Sequence, residues 1–385
     1  MSPKCKTRVS SKKCCHMLVF VTKVYVILFT IEEIYMADSV KSWGLIGRGN
    51  IGRELERQIG QQHVASRLGL EQKPRMIVEV NGITDANGNL DTTTKFADAD
   101  VPDVMFLAIP SGGDGTLANG YVSTILAKGK MAVTAEKGAL SHFFRELKSA
   151  SDDFTRFGIT ATVGGGTRML RVAEQYNIDQ ANITEMHAVL NGTMTAIMSE
   201  VAPANGSGIA LEAAVEHAVK AGYAEPGADS PQAVLRGEAE GDIPKKMSII
   251  FNTLGLGNTT VTPEMLAFSL SDEDINAAVG ASEPHRFITS FYPAGSPADP
   301  GPRLGGFDVT IDGWRLVAGF RPLTANPLFA SFAPLTQAGN GLVIGLGPNN
   351  SDGVYSVTGP GAGVEPTVNA MIDDYVRLSR LEQSA

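Results

Sequence analysis

The chain has 385 residues, of which 42 are Gly, 43% are hydrophobic and 19% are charged, and its formal net charge is −9. Such a composition supplies two cores of roughly 100–200 residues each, and no apolar run is long enough for a polytopic membrane protein. The negative balance lacks the basic face that nucleic-acid binding requires, and no repeat of about 20–50 residues marks a solenoid.

The first 35 residues stand apart. They hold all three cysteines, Cys5, Cys14 and Cys15, and six basic side chains against two acidic ones. The apolar run Met17–Thr30 contains Lys23 and, at 14 residues, is too short to span a bilayer. No small-residue cleavage site follows it, so a membrane anchor or signal peptide is the minor alternative. We expect residues 1–35 to be an atypical extension outside the fold, with the working start at Met36. From there on the chain has no cysteine, which excludes a disulfide scaffold and a thiolate zinc site in the body of the protein.

The body opens with a short apolar strand, Ser42–Ile46, followed by Gly47-Arg-Gly-Asn-Ile-Gly52 and a helix from Ile51 to about Arg67. A second strand is expected over Met76–Ile83, ending in Thr84 and Asp85 before the turn signal Asn87-Gly88. Val104–Ile109 reads as a third, buried strand leading into Pro110-Ser111-Gly112-Gly113. Tyr121–Ala127 suits a helix, Met131–Thr134 a strand, Ser141–Ser151 a helix and Ile159–Val163 a strand before Gly164-Gly165-Gly166. Strands alternating with helices predict a parallel, doubly wound sheet. After Gly166 the pattern changes. Strands (Ile183–Leu190, Gly305–Ile311, Arg315–Phe320, Gly341–Leu346) mix with helices (Leu211–Ala221, Ile243–Leu254), as in an α+β domain with an antiparallel sheet. Pro293–Gly305 reads as a loop and Thr367–Leu378 as a final helix.

The run Gly47-x-Gly49-x-x-Gly52 follows a strand and opens a helix, the context in which such glycines admit a pyrophosphate to a helix N-terminus. Dinucleotide binding therefore falls to Gly47, Arg48, Gly49, Asn50, Ile51 and Gly52. No acid at the end of a strand stands about 20 residues on, where one would meet the ribose hydroxyls. Asp85, at the end of the second strand, is the candidate. Arg48 and Arg53 flank the loop and suit a 2′-phosphate, so NAD and NADP both stay open, with a lean to NADP.

Hydride exchange with an alcohol needs a general acid/base at the carbinol oxygen. None of the six histidines suits, and His187 reads as a core residue of a strand. Lysine is the other choice, because burial moves its pKa toward the working range. In Gly241–Leu254, Asp242 is expected to cap a helix with Pro244 in its first turn. Ile243, Met247, Ile250, Phe251 and Leu254 form its buried stripe, with Asp242 and Lys246 at i, i+4 beside it; a plain surface ion pair is the alternative. Upstream, Gly222-Tyr223-Ala-Glu225 ends a helix and places an acid and a phenol in a loop. Asn191-Gly192-Thr193 is a polar turn leaving a strand. Lys137 follows a strand at the C-terminal edge of the parallel sheet, where ligands collect.

In order, Gly47–Gly52, Val133–Lys137, Ala161–Gly166, Leu190–Thr193, Ala221–Glu225, Gly241–Lys246 and Gly359–Thr367 resemble homoserine dehydrogenase, and the likeness runs from about Ser42 to Leu378. The resemblance implies a Rossmann-type α/β domain plus an α+β catalytic and dimerisation domain. It divides the chain into a Rossmann unit (36–165), a substrate and dimerisation unit (166–348) and a C-terminal segment (349–385) that returns to the cofactor side. It implies reversible NAD(P)-dependent hydride transfer between L-homoserine and L-aspartate 4-semialdehyde in threonine, methionine and isoleucine biosynthesis, by a cytoplasmic homodimer with no nucleic-acid or membrane partner. Lys246 then resembles the proton carrier and Lys137 the lysine between cofactor and substrate. Glu225 and Asp242 resemble the substrate carboxylates, with Glu225 on the ammonium. Thr193 and Tyr223 line the substrate pocket, and Gly222, Ser111 and Gly361 lie at the dinucleotide. Three positions depart from the family. Glu136 replaces an Asn. Thr160 replaces a Glu of a monovalent-cation site, leaving any sodium on the carbonyls of Val163 and Gly165. The spacer from Glu225 to Asp242 is long and altered. A nucleotide sensor without turnover, or an oxidoreductase on a related amino or hydroxy acid, are the competing readings.

Overall fold

The computed structural model describes residues 40–203, 208–296 and 301–384, so the expectation for residues 1–35 lies outside the described residues. In chain order, β1 (Trp43–Ile46) leads to α1 (Asn50–Ile59) and α2 (Gln62–Leu68). Next come β2 (Met76–Glu79), β3 (Gly82–Asp85), the two-residue β4 (Leu90–Asp91) and β5 (Val104–Leu107). The chain continues through α3 (Thr116–Ala127), β6 (Met131–Thr134), α4 (Gly138–His142), α5 (Phe144–Ala150) and β7 (Phe157–Gly158). These strands form one sheet in the order β4-β3-β2-β1-β5-β6-β7, parallel from β2 to β7.

The alternation of side chains along each strand builds a core on both faces. In β5, Val104 and Phe106 pack with Leu55 and Ile59 of α1. Met105 and Leu107 turn the other way, toward Val122 and Ile125 of α3 and Leu140 of α4. Strands buried on both faces read as continuous apolar runs, which is why β5 and β6 were legible.

The second strand is a correction. The run Met76–Ile83 is not one strand but a hairpin: the chain turns at Val80-Asn81, and Gly82 takes φ +139° with no room for a Cβ against the Asp91 carbonyl. β3 therefore runs back along β2, and Asp85 pairs opposite Met76, the first residue of β2. Ile159–Val163 is not a strand either; a 3-10 turn covers Thr160–Thr162.

The second half adds α6 (Val172–Gln175), β8 (Ile183–Val189), α7 (Gly192–Val201), α8 (Leu211–Lys220), α9 (Pro231–Thr253) and α10 (Asp272–Val279). Then follow β9 (His285–Pro293), β10 (Leu304–Ile311), β11 (Trp314–Pro322), β12 (Gly339–Leu346), β13 (Gly353–Pro360) and α11 (Val364–Ser384). Its sheet is antiparallel, in the order β10-β11-β9-β8-β12-β13. Because β13 stays in this sheet, the return to the first sheet begins after Pro360 rather than at 349. There α11 lays Val368, Met371, Tyr375 and Leu378 on the α1 face.

Helix α9 corrects the reading of Asp242. Ser230 is the cap, accepting the Ala233 N–H, and Pro231 opens the helix, so Asp242 and Pro244 lie in its interior. Pro244 has no N–H for the carbonyl one turn back. The predicted stripe holds: Ile243, Met247, Ile250, Phe251 and Leu254 are buried.

One contact pins α11 to the parallel sheet. The buried Asp374 accepts the N–H of Thr160 at 2.7 Å and its hydroxyl at 2.6 Å. Burial pushes the Asp374 carboxyl above its ordinary range. The folded state thus holds this proton more tightly than the unfolded state, and this component of stability is lost as pH rises through the carboxylate range. We expect Asp374→Ala to cost about 2–3 kcal/mol in urea denaturation, since two Thr160 donors lose their acceptor. Asp374→Asn should match or exceed the parent at neutral pH and lose that pH-dependent component.

Candidate active site

A cleft of about 1470 Å³ runs along the C-terminal edge of the parallel sheet and ends against α7 and α9. Its sheet side is the glycine loop. Gly47 takes φ +88°, and a Cβ there would meet the Ala108 carbonyl oxygen at 2.6 Å. At Gly52 a Cβ would meet the Gly47 carbonyl oxygen at 2.2 Å, so α1 sits directly on the loop. Gly49 faces open space, and no side chain caps the N-terminus of α1. Such a terminus attracts anions, and the loop fits a dinucleotide's pyrophosphate. Gly47, Arg48, Gly49, Asn50 and Ile51 line the cleft, as do Ser111, Gly222 and Gly361.

Two cofactor expectations change. Asp85 is not on the cleft: the antiparallel turn carries it to the opposite end of β2, where its carboxylate accepts the N–H groups of Asn87 and Asn89 at 2.9 and 2.8 Å. The acid at the C-terminal end of β2 is Glu79, which lines the cleft; reading β2 and β3 as one strand hid it. Arg48, in the loop, is paired with Glu56 of α1 at 2.7 Å, and Arg53 does not line the cleft.

The far wall holds a buried charge cluster. β6 ends at Thr134, and the short connection that follows carries Glu136 and places Lys137 at the start of α4. Its Nζ lies 3.0 Å from Asp242 Oδ1. Lys246, one turn along α9, lies 2.7 Å from Asp242 Oδ2 and donates to the Leu190 carbonyl at 2.7 Å. Asn191 caps α7 through its Oδ1 and donates its amide to Asp242 at 2.9 Å and to Glu238 at 2.6 Å. Asn340 of β12 also donates to the Leu190 carbonyl, at 2.8 Å. The Asp242–Lys246 pair of the sequence is thus present, but buried rather than on the surface.

Burial alone pushes the Asp242 carboxyl up, yet the ammonium groups of Lys246 and Lys137 outweigh it and hold it well below the ordinary range. Asp242 in turn raises Lys137. For Lys246 the balance is opposite: burial, helped by the charge of Lys137, lowers it despite Asp242. One lysine is held charged, and the other is moved toward exchanging a proton.

The remaining expected residues are divided. Thr193 lines the cleft, but its hydroxyl donates to the Tyr223 carbonyl at 2.6 Å. Tyr223 is off the cleft and borders a separate cavity of about 320 Å³, because the helix end turns it outward from the cleft at Gly222, φ +75°. Glu225 is on the rim and exposed. Gly165 lines the cleft, whereas Val163 is buried away from it. Among the described residues no group of three or more His, Cys, Asp or Glu is placed to hold a metal. His187 is buried far from this chemistry, between Glu185 and Ser290. Lys245 points away, toward the Gly113 carbonyl.

Three residues escaped the sequence reading, Glu79, Glu238 and Asn340, and Asn191 was visible only as part of a polar turn. Glu238 was within reach, because Ser230-Pro231 signals a helix start that puts it one turn before Asp242. Asn340 carried no local signal.

The family model for homoserine dehydrogenase matches residues 169–376. A curated relative described as an NAD(+)-dependent homoserine dehydrogenase, from Pseudomonas canavaninivorans, is 28% identical over 268 residues, 69% of this chain and 67% of the relative. The crystal structure of a homoserine dehydrogenase from Thermoplasma acidophilum matches with a TM-score of 0.64 at 20% identity, covering 88% of this chain and 99% of that one. A hyperthermophilic archaeal homoserine dehydrogenase in complex with NADPH matches at 0.58 and 19%, covering 88% and 98%.

Glu136 belongs to the support of this wall. It is buried, and its carboxylate accepts the N–H groups of Gly138 and Ala139, the latter at 2.9 Å, so its charge is spent on the α4 terminus. We expect Glu136→Ala to cost about 1–2 kcal/mol in urea denaturation, and Glu136→Gln less than half of that.

Proposed function

The chain belongs to the homoserine dehydrogenase family, and from the geometry of the cleft we infer that it interconverts L-homoserine and L-aspartate 4-semialdehyde with Lys246 as the proton carrier. The observation that supports this reading is a buried lysine with a lowered pKa, facing the same cleft as a glycine loop shaped for a dinucleotide. Hydride acceptance at the carbinol carbon is the chemistry a bound nicotinamide supplies. In the oxidative direction neutral Lys246 takes the hydroxyl proton, and in the reductive direction its ammonium returns one to the nascent alkoxide. Asp242 and the Leu190 carbonyl hold two of its positions and aim the third. Lys137, kept charged by Asp242, stabilises developing negative charge at the oxygen. Glu225 on the rim receives the substrate ammonium, and Thr193 walls the pocket. The same reading carries a cytoplasmic homodimer in threonine, methionine and isoleucine biosynthesis.

For the cofactor we propose NAD. Glu79 stands where a carboxylate accepts the ribose hydroxyls and repels a 2′-phosphate, and Arg48 is engaged with Glu56. This reverses the lean drawn from the loop arginines.

The test is NADH formation from L-homoserine at alkaline pH; no turnover would support the sensor reading. We expect Lys246→Ala to lower kcat at least 100-fold with the NADH dissociation constant within about threefold, as general acid–base losses of this size are usual. Equal loss of both would make the lysine structural. We expect Glu79→Gln to shift the kcat/KM ratio of NAD over NADP at least tenfold toward NADP, and an unchanged ratio would count against the assignment.

A further inference from the structure

We propose that Glu238 is a second binding group for the substrate's α-ammonium, set deeper than Glu225, and that it makes this site select an amino alcohol over the same alcohol without the amine. The inference rests on the homoserine reading and adds a residue to it.

Asp242 is already crowded with partners. Its Oδ1 is taken by Lys137 at 3.0 Å, and its Oδ2 by Lys246 at 2.7 Å and Asn191 at 2.9 Å. With two ammonium groups and an amide already on it, Asp242 keeps one spare acceptor site, on Oδ1, an atom sealed from solvent and already facing Lys137. The role expected of it as a substrate carboxylate is better filled elsewhere.

Glu238 has that capacity. Glu238, Asp242 and Lys246 are spaced at i, i+4 and i+8 on α9, so all three rise on one face, and all three line the cleft. Among the described residues the one hydrogen-bonding partner of Glu238 is the Asn191 amide, at 2.6 Å on Oε2. Its Oε1 has none, and among the described residues no cation is within ion-pair distance of either oxygen. Burial, helped by the charge of Asp242, pushes its carboxyl up, outweighing the Asn191 hydrogen bond and the charges of Lys246 and Lys137, which lie beyond ion-pair distance. An ammonium delivered by the ligand supplies the missing partner.

There is room for one. Gly237 and Gly241 flank Glu238 on the cleft face of α9, and a Cβ built on either meets nothing within 4 Å. Glycine inside a helix costs about 1 kcal/mol relative to alanine, so two of them leave open volume beside the carboxylate at some expense. Glu225, by contrast, is exposed, where a charge pair is weakened by water. An ammonium has three donors, and the two acids can share it: Glu225 at the mouth, Glu238 at the depth.

Glu238→Gln in the full-length protein separates charge from scaffold, because the new amide oxygen still accepts from Asn191. We expect the homoserine KM to rise at least tenfold with kcat within about threefold. The dissociation constant of L-homoserine in the presence of NADH, read by calorimetry, should rise in parallel. The inhibition constant of 4-hydroxybutanoate, the analogue without the amine, should stay within about twofold. An unchanged homoserine KM overturns the proposal, and so does equal weakening of both compounds, which would mark Glu238 as a scaffold for Asn191. A parent enzyme that does not oxidise homoserine defeats the underlying reading as well. A parent that does, with the Glu238→Gln variant indistinguishable from it, defeats this inference alone.

Discussion

A single carboxylate organises this molecule: Asp242, buried between two lysine ammonium groups, one from the residue before α4 and one from α9, the helix that carries Asp242 itself. Withdrawing ions from water costs several kcal/mol each, and the attraction between them offsets this only when the geometry is good and the remaining atoms are bonded. Here both ion pairs are close, Asn191 bonds Asp242 Oδ2 and the Leu190 carbonyl bonds Lys246, while Asp242 Oδ1 relies on the Lys137 ammonium alone. The arrangement is a poor device for stability, because well-packed apolar residues would do as well. What it provides is asymmetry. Lys137 gains more from Asp242 than it loses to burial, while Lys246 loses more than it gains.

The position of Lys246 is secured through the rest of the fold in a short series of contacts. Its carbonyl partner, Leu190, is also held by Asn340. Asn340 in turn packs so closely on Gly361 that a Cβ there would meet its Cγ at 2.0 Å. Beyond Gly361 the chain enters α11, which Asp374 fixes to Thr160 beneath the first sheet. Lysine, β12, the segment after β13 and the sheet under the glycine loop are thereby tied into one frame. Rigid support of this kind matters because the proton carrier must meet the substrate oxygen while hydride is exchanged at the adjacent carbon, each within a fraction of an ångström.

Legibility followed sequence distance. The glycine loop, β1, β5, β6 and the apolar stripe of α9 were readable because their signals are local: a three-glycine spacing, continuous apolar runs, a 3.6-residue period. The hairpin of β2 and β3 was missed although Asn81-Gly82 is the same kind of turn signal as Asn87-Gly88, because the apolar residues on either side read as one continuous run. That one misreading moved the candidate ribose acid from Glu79 to Asp85, at the opposite end of the strand. Similarly, starting α9 at Asp242 instead of Ser230 removed Glu238 from view.

The sequence by itself determined which chemistry is available: a phosphate loop, lysines able to exchange a proton, carboxylates to match them, and a period for every long element. It could not decide how those charges are shared. Which lysine stays charged depends on the depth of Asp242 and on partners at positions 137, 191 and 246, brought together only when α4, α7 and α9 converge on one cleft. Coulomb energies and desolvation vary with ångströms of separation and burial, quantities that a linear order of residues does not contain.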